Sequence, residues 1–594
     1  MQHKRISCGE ASEELVGADV MLYGWCRYIR DHGGKLFIDI ADRHGSTQLV
    51  FEGELVKDAE EFGREYVIMA AGKVGLRDED TVDTSNKTGK IEVRVEEVKL
   101  ISKAKTPPFE LIEEKEKFLA NEETRLQYRY LDLRRSSMTK NIVLRSEVTK
   151  AVRQFFWGKG FLELETPTLI KDTYDTGART FVVPSRISKG KFYSLPQSPQ
   201  FYKQLCMIAG LDRYFQIAKC YRDEDPREDR QPEFTQIDIE ASFVDEENIQ
   251  GIMEEMMADL FKKVLGKEIT TPFKKMEFEQ AFESYGSDKP DLRFPNKIVD
   301  ISDIAGNSDY NILKRIVANK GKVRMLSFHA EYGVSKKITE KYMLKAVELA
   351  KSYGLQGLTW LYVKEGKLRS EPESIANVFG PIEAEILSRM GPKPDEGDII
   401  IIGGDLSDSV LLSTLGKLRN TIGNDVGKYE NDYAFVWIVD FPMFEKDEIT
   451  GRLKPSHNPV TMPKDTSDES FLNNPEGIKS RQYDLVLNGY ELGSGSIRVT
   501  DPELQRKILS RIGIEEAEIE SNFGFFLEAL AYGTPVHGGI ALGLDRLVAL
   551  MAGTPNIRDF ILFPKNKKFE SPMDGSPAAI SSKRLFDDFG ISVK

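Results

Sequence analysis

The chain has 594 residues, enough for about three to five domains. At 40% hydrophobic and 30% charged it is neither a mainly disordered nor a fibrous sequence. A formal net charge of -13 excludes a general-purpose basic nucleic-acid coat, although local basic patches still allow an enzyme that docks nucleic acid. The longest apolar runs, such as Ile399–Ile402, fall far short of the roughly 18 residues of a membrane span, so no membrane partner is expected. Residues Met1 to Gly9 mix charges without an apolar core, unlike a secretory signal. Four cysteines, Cys8, Cys26, Cys206 and Cys220, lie far apart without CxxC spacing. That argues against structural zinc and disulfides and for a reducing, cytoplasmic setting.

In chain order, residues 1–104 read as a small β-domain. β-rich runs at Val20–Tyr28 and Lys35–Ala41 flank the turn Asp31-His32-Gly33-Gly34, a hairpin signal. Further strands are expected at Thr47–Glu52, Tyr66–Val74 and Lys90–Leu100. Five such strands suit an OB-type barrel, a frequent single-strand nucleic-acid binder, and equally suit any other small barrel. Thr106-Pro107-Pro108 opens a linker over 105–138 that ends in the charged run Tyr130-Leu131-Asp132-Leu133-Arg134-Arg135. Residues 141–157 carry Val148, Ala151, Val152, Phe155 and Phe156 at helical spacing, and Pro167 then forces an extended segment. Residues 246–264 read as a helix whose methionine stripe is core. The texture changes over 294–425, with helices at Lys341–Ser352 and Ile382–Met390 and a strand at Asp398–Gly403. This block reads as an insertion that splits a larger domain into 139–293 and 426–594. Gly538–Met551 reads as a glycine-rich helix start.

The densest chemistry lies in 213–243, where two alternating strands flank a loop packed with charge. On such a hairpin Gln236, Asp238 and Glu240 share one face, and Ile237 and Ile239 take the other. Arg222 closes the first strand with a guanidinium suited to phosphate, and Phe234 is placed to stack on a flat base. Standing alone, such a hairpin is more often a solvated, salt-bridged surface. Glycines 538, 539 and 543 ahead of Arg546 suit a phosphate but are equally common in close packing.

Together, with Gly160–Pro167, these segments resemble the three signature motifs of class II aminoacyl-tRNA synthetases. Tyr130–Arg135, Gln197–Lys203, Arg222–Asp225, Arg230–Asp238, Tyr285–Asp291 and Gly543–Arg546 are similar to the bacterial-type aspartyl-tRNA synthetase family, over essentially the whole chain. The resemblance implies an α+β multidomain fold: an N-terminal OB-fold anticodon barrel over 1–104, an antiparallel-sheet class II synthetase catalytic domain, and the inserted α+β domain of the bacterial type. It implies ATP-dependent activation of L-aspartate and transfer to the 3′ end of tRNA(Asp). It also implies a homodimer through the first motif, with no DNA partner. The rivals are an asparaginyl- or lysyl-tRNA synthetase and a catalytically silent tRNA-binding paralogue. Arg498 with Lys203, and the retained Arg222, Glu491 and Arg546, favour the active aspartate enzyme.

By the same resemblance Arg222, Glu491 and Arg546 are catalytic. ATP binding falls to Arg222, Asp223, Glu224, Gln231, Phe234, Glu491, Gly543, Leu544, Asp545 and Arg546. Asp484 and Glu491, seven apart on one expected strand, match carboxylates that hold Mg²⁺ between phosphates. Arg498 and Lys203 match the groups that receive the aspartate side chain, and Asp238, Ser198 and Gln200 those that receive its ammonium. Arg222 and His457 complete the aspartate site. One loop departs from the pattern: it is one residue longer, and the family's substrate-contacting glutamate falls on Thr176. In the barrel, Phe37 is expected to stack an anticodon base, Gln48 to read an edge and Arg30 to supply charge. His32 tends to accompany acceptance of both tRNA(Asp) and tRNA(Asn), while Asp80 stands where such enzymes tend to carry glycine. The reading leans toward both tRNAs because His32 sits in the projecting hairpin.

Overall fold

Hydrophobic alternation in the first hundred residues closes into a barrel. In a computed structural model, residues 3–579, 586 and 589–590 are described, apart from 114–118, 173–178, 227–228, 331–338, 392–393, 427–428, 430–431 and 448–450. The chain divides into two units: Met1–Ser146 with Pro226–Gln231 and Asn556–Ser581, and Glu147–Asp225 with Pro232–Pro555 and Ser582–Lys594.

The first unit is built on β1 (Lys4–Arg5), β2 (Asp19–His32), β3 (Lys35–Asp42), β4 (Gly45–Phe51), β5 (Val67–Leu76) and β6 (Ile91–Ser102). The order β2-β3-β4-β6-β5 closes through a β5–β2 pairing, and β1 adds in parallel to β2. The expected five strands all form, each within a few residues of its predicted bounds. Gly33 and Gly34 have φ of 63° and 81°, the two left-handed positions of a type I′ turn, so glycine is needed at both. Leu36, Ile38 and Ile40 point into the core beside Leu22, Leu49 and Val93, which leaves Phe37 and Asp39 on the outer face. The run Tyr130–Arg135 is folded into a charge network. Asp132 is fully buried and accepts from Arg129 at 2.7 Å and Arg135 at 2.9 Å, and Arg129 also donates to carbonyls of Arg558 and Ile561.

The second unit holds an eight-stranded sheet. Its strands are β7 (Leu162–Glu163), β8 (Arg213–Tyr221), β9 (Glu233–Ser242), β10 (Lys274–Glu277), β11 (Phe435–Val439), β12 (Gln482–Leu487), β13 (Tyr490–Ile497) and β14 (His537–Gly543). They lie in the order β10-β11-β12-β13-β14-β9-β8-β7. The six central strands are antiparallel, as expected, while both edge strands, β10 and β7, join in parallel. Helix α1 (Ser136–Gly158) buries Val148, Val152 and Phe156. Helix α2 (Gln200–Ile208) presents Lys203, and α3 (Glu246–Leu265) buries Met253, Met256 and Met257 as core.

Residues 298–405 form a separate antiparallel five-stranded sheet, in the order Ile298–Asp300, Lys322–Phe328, Ile399–Asp405, Leu358–Lys364, Lys367–Arg369. Its two faces feed two apolar clusters, one around Met343, Leu415 and Ile401, the other around Phe379, Met325 and Ile400.

Two expectations change. Gly538, Gly539 and Gly543 do not open a helix. They lie in strand β14, and helix α4 starts only at Leu544 (Leu544–Met551). The reason is close strand approach: a Cβ on Gly539 would run into the Ile239 carbonyl and the Glu240 carboxylate. Asp484 and Glu491 are not on one strand either. Asn488 and Gly489, with φ of 53° and 84°, turn the chain so that Asp484 lies on β12 and Glu491 on β13.

Candidate active site

Strands on either side of β14, and one helix, carry the charged groups. Asp238 and Glu240 share one face of β9, Arg498 follows the end of β13, and Lys203 projects from α2. All four are buried. Lys203 Nζ lies 2.6 Å from Asp238 Oδ1 and 3.3 Å from Glu240 Oε2. Arg498 grips Glu240 with both arms of its fork, at 2.9 and 3.1 Å, and donates Nη1 to Ser496 Oγ at 2.7 Å. Two cations therefore meet two carboxylates, which is how a protein tolerates four charges in a low-dielectric interior. Burial works against the Glu240 charge, but Arg498 and then Lys203 outweigh it and hold the carboxyl down at about 2. Asp238 has one ammonium in contact, and burial pushes it up.

Three buried polar atoms have no hydrogen-bond partner: Asp238 Oδ2, Gln200 Nε2 on the helix that carries Lys203, and, further along the hairpin, Arg222 Nε. Such atoms are costly in a buried setting, and a polar ligand would satisfy them. Arg222 stands just past β8, its amide bonded to Pro232 O at 2.9 Å and its guanidinium 5.2 Å from the centroid of the Phe234 ring. That pairing places a planar cation beside a half-buried aromatic face.

The carboxylate pair lies further along the sheet. Asp484 accepts from Ser494 Oγ and Gln482 Nε2, while Glu491 is matched by Lys289 Nζ at 2.9 Å. Burial first, and the Glu491 charge second, push Asp484 up. Glu491 is itself desolvated, yet Lys289 keeps it below the ordinary carboxylate range. Arg546 on α4 donates Nη1 to the Glu491 carbonyl at 2.5 Å. Asp545 turns its carboxylate to the Thr235 amide at 2.9 Å, and Leu544 is buried in the core. Gln231 belongs to the first unit, where its side chain exchanges two hydrogen bonds with the Lys565 backbone. Asp223 is exposed and its amide bonds the Arg179 carbonyl at 3.1 Å; Glu224 and Ser198 are half-buried. Thr176 lies outside the described residues.

His457 is accessible to solvent yet ringed by protein. Desolvation of its cation, together with repulsion from Arg498, Arg222 and Lys203, outweighs the pull of Glu491 and brings it down to about 4. His537, buried between Pro535 O and Gln204 Oε1, is also lowered by burial. The folded chain thus keeps both rings neutral where the unfolded chain protonates them. Stability should therefore fall as pH drops from 6.5 towards 4. Melting temperature against pH measures this, and His457→Asn should flatten the slope. A level profile across that window would contradict the assignment.

Glu240, Lys289 and His537 were not among the expected binding residues. The alternation Gln236, Asp238, Glu240 puts Glu240 on the same face as Asp238, and Lys289 lies inside the Tyr285–Asp291 motif. Nothing local signals His537.

On the barrel, Arg30 pairs across from Phe37, Asp39 from Gln48, and Gln48 from Glu92, which sets these side chains on one face. Arg30 Nη2 bonds Asp39 at 2.9 Å and Gln48 Oε1 at 3.3 Å, and Phe37 stays half-exposed beside them instead of joining the core. His32 projects at the β2–β3 tip, and Asp80 is exposed in the loop between β5 and β6.

A barrel of this topology and a sheet carrying these motifs define a tRNA-charging enzyme of the class II kind. Residues 121–567 match the family described as tRNA synthetases class II (D, K and N), and 20–101 match the OB-fold nucleic acid binding domain. The chain belongs to the class II tRNA synthetases of the D, K and N group. It is 45% identical to an aspartate–tRNA(Asp/Asn) ligase of Geobacillus sp. (strain WCH70), covering 97% of this chain and 96% of that one. It is 43% identical to an aspartate–tRNA ligase of Macrococcus caseolyticus, covering 98% of each. Among solved structures, the asparaginyl-tRNA synthetase of Pyrococcus horikoshii complexed with asparaginyl-adenylate superposes with a TM-score of 0.57 at 18% identity, over 94% of this chain and 98% of that one. The aspartyl tRNA synthetase of Entamoeba histolytica gives a TM-score of 0.57 at 18% identity, over 95% and 92%. These two similarities concern the fold. No helix among the described residues is long and apolar enough to cross a membrane.

Proposed function

We propose that the chain is an aspartate–tRNA ligase that activates L-aspartate with ATP and transfers it to the 3′ end of tRNA(Asp) and also of tRNA(Asn). The observation that carries this reading is the buried Lys203–Asp238 and Arg498–Glu240 quartet with Asp238 Oδ2 left over. Lys203 and Arg498 present only N–H donors, which accept a side-chain carboxylate and reject an amide NH₂. Asp238 Oδ2 suits the ammonium, with Gln200, Ser198 and His457 around it.

The two cations are not bare groups that asparagine would leave unpaired, because each already holds a carboxylate. The penalty falls on turning an amide donor toward donors. Discrimination of roughly 10⁴-fold or more is still expected for a site of this kind. Aspartate- and asparagine-dependent ATP–pyrophosphate exchange tests the reading: comparable rates would reassign the chain to an asparagine enzyme, and no exchange with either would remove the activity.

In the first step an α-carboxylate oxygen of aspartate bonds to the α-phosphorus and pyrophosphate leaves. Arg222 offsets charge growing on the α-phosphate oxygens, Phe234 stacks the adenine, and Arg546 sits at the far phosphate. In the second step a ribose hydroxyl of the tRNA 3′ end takes the aspartyl group and AMP leaves. Asp484 and Glu491 fit Mg²⁺ carried by the nucleotide: a pair of hard oxygen donors, with the other positions left to phosphate and water. When bound, the cation neutralises phosphate charge.

In this reading residues 1–104 bind the anticodon, 139–293 with 426–594 carry the chemistry, and 294–425 is inserted. Trp157, Phe243 and Tyr532 stay exposed on the second unit, apolar surface suited to a second copy, so a cytoplasmic homodimer is part of the proposal.

Acceptance of tRNA(Asn) rests on His32. The anticodons of the two tRNAs differ at the third base, and the glycine turn leaves room beside the imidazole for either. tRNA(Asn) should be charged within about tenfold of tRNA(Asp), or about 1.4 kcal/mol, and His32→Leu should selectively weaken the tRNA(Asn) reaction. If tRNA(Asn) is charged a thousandfold more slowly, Asp80 has restored selectivity and His32 is only a turn residue.

A further inference from the structure

The inserted residues and the ATP end of the cleft meet at one point. Lys289, whose Nζ stands 2.9 Å from Glu491 Oε2 and within the field of Asp484, lies in the segment 285–296. That segment runs from the end of the helix Phe278–Tyr285 to the first strand of the inserted sheet and has no regular structure of its own. Its backbone carbonyls must find donors elsewhere.

The donors come from the helix Asp408–Val426 of the inserted domain. Arg419 is fully buried there. It donates Nε to Asn296 O at 2.5 Å, and Nη2 to Asp291 O at 2.9 Å and Phe294 O at 2.8 Å. Its guanidinium also lies 4.7 Å from the Tyr285 ring centroid and 4.4 Å from that of Phe294. Burial brings it down to about 10, so it remains charged at neutral pH. A buried arginine that spends its fork on three carbonyls of one segment fixes the path of that segment.

The same helix touches the segment on both sides of Arg419. A Cβ on Gly416 would stand 2.6 Å from the carbonyl oxygens of Tyr285 and Gly286, so helix and turn meet backbone to backbone. Asn424 Oδ1 accepts from Arg293 at 3.0 Å, and Arg293 is forked onto Asp291. Asp291 in turn abuts the turn ahead of Glu491, since a Cβ on Gly489 would lie 3.2 Å from the Asp291 Cβ. One clamp therefore fixes both the lysine and the turn that delivers its carboxylate partner.

We propose that Lys289 is the internal counter-ion that competes with a divalent cation for Glu491 and Asp484, and that the inserted domain positions it through Arg419. The proposal deepens the reading of this end of the cleft as an ATP–metal site and rests on it. A lysine here holds an otherwise repulsive carboxylate pair together in the free enzyme. It also keeps bare divalent cations out, so that the cation enters with its nucleotide, whose phosphates supply the remaining ligands.

The test needs no catalysis. Mn²⁺ is titrated into the free full-length enzyme without nucleotide, and bound metal is followed by electron paramagnetic resonance. Lys289→Met should bind Mn²⁺ about tenfold more tightly than wild type, since removing one charge beside two carboxylates strengthens their pull on a cation. Arg419→Lys keeps the charge but loses the fork and should move Mn²⁺ affinity in the same direction by about threefold or more. Gly416→Ala, which pushes helix and segment apart without removing any polar side chain, should do likewise. A purely structural role would lower melting temperature without raising metal affinity. If Lys289→Met binds Mn²⁺ no more tightly, the lysine is no counter-ion. If Lys289→Met tightens binding while Arg419→Lys and Gly416→Ala stay at the wild-type value, the inserted domain does not position it. Should Arg419→Lys fail to fold, Gly416→Ala decides. Aspartate-dependent exchange by the wild-type enzyme is measured in parallel, so that loss of the aspartate reading and loss of this proposal give different results.

Discussion

Arg222→Ala should lower aspartate-dependent ATP–pyrophosphate exchange by about 10²–10³-fold, a loss of roughly 3–4 kcal/mol of transition-state stabilisation by analogy with removal of one oxyanion donor. The structure explains why the effect should concentrate in this side chain. Its Nε is buried without a partner, so a ligand oxygen there would complete it. Its guanidinium is held beside the Phe234 ring and its backbone is tied to Pro232, so the fork is fixed before the nucleotide arrives. Arg222→Lys should recover little, because an ammonium cannot reproduce a planar two-pronged contact. Exchange kinetics at saturating ATP separate lost chemistry from lost binding. Exchange close to wild type in Arg222→Ala would remove the arginine from the reaction.

The second large effect is on folding. Arg498→Met should destabilise the second unit by about 3–5 kcal/mol, because it leaves the Glu240 carboxylate buried without its bidentate partner. Lys203 alone, 3.3 Å away and already engaged with Asp238 at 2.6 Å, cannot replace it. The double variant Arg498→Met with Glu240→Gln removes both charges and should recover a large part of the loss, while aspartate activation stays absent. Urea unfolding of the wild type, both single variants and the double gives the coupling directly. Additive losses would show that the two residues do not form one unit.

The contrast between these two arginines shows what could be read from the chain alone. Arg222 lies in a short charged motif, and local pattern is enough to place it at the end of a strand; its contact with the Phe234 ring comes from the fold. The barrel strands were legible for the same reason: the Gly33-Gly34 turn and alternating residues such as Leu36, Phe37 and Ile38 are local signals. The charge quartet was not legible in the same way. Arg498 and Glu240 are 258 positions apart and Lys203 and Asp238 are 35 apart, and no local periodicity says that they neutralise each other. The two misplaced elements fail for opposite reasons. The glycines of β14 resemble a helix start because glycine before an arginine fits a phosphate cradle, whereas two strands press on them. The spacing of Asp484 and Glu491 suggests one strand, but Asn488-Gly489 between them is a strong hairpin signal.

The flatness at Gly539 limits how this site can change. Gly539 sits between Glu240 on one neighbouring strand and Ser496 on the other, and a single methyl group there would strike the Glu240 carboxylate. The carboxylate in turn sets the pose of Arg498. A redesign for another amino acid therefore has no small steps through this strand. Any added carbon at 539 displaces an acid, the displaced acid releases a base, and the protein loses fold and selectivity together. Substrate range can drift only by paired exchanges across the sheet, an acid with its base in one event. A library of single substitutions at 240, 498 and 539 should accordingly yield inactive or poorly folded proteins, and altered specificity should emerge first among doubles.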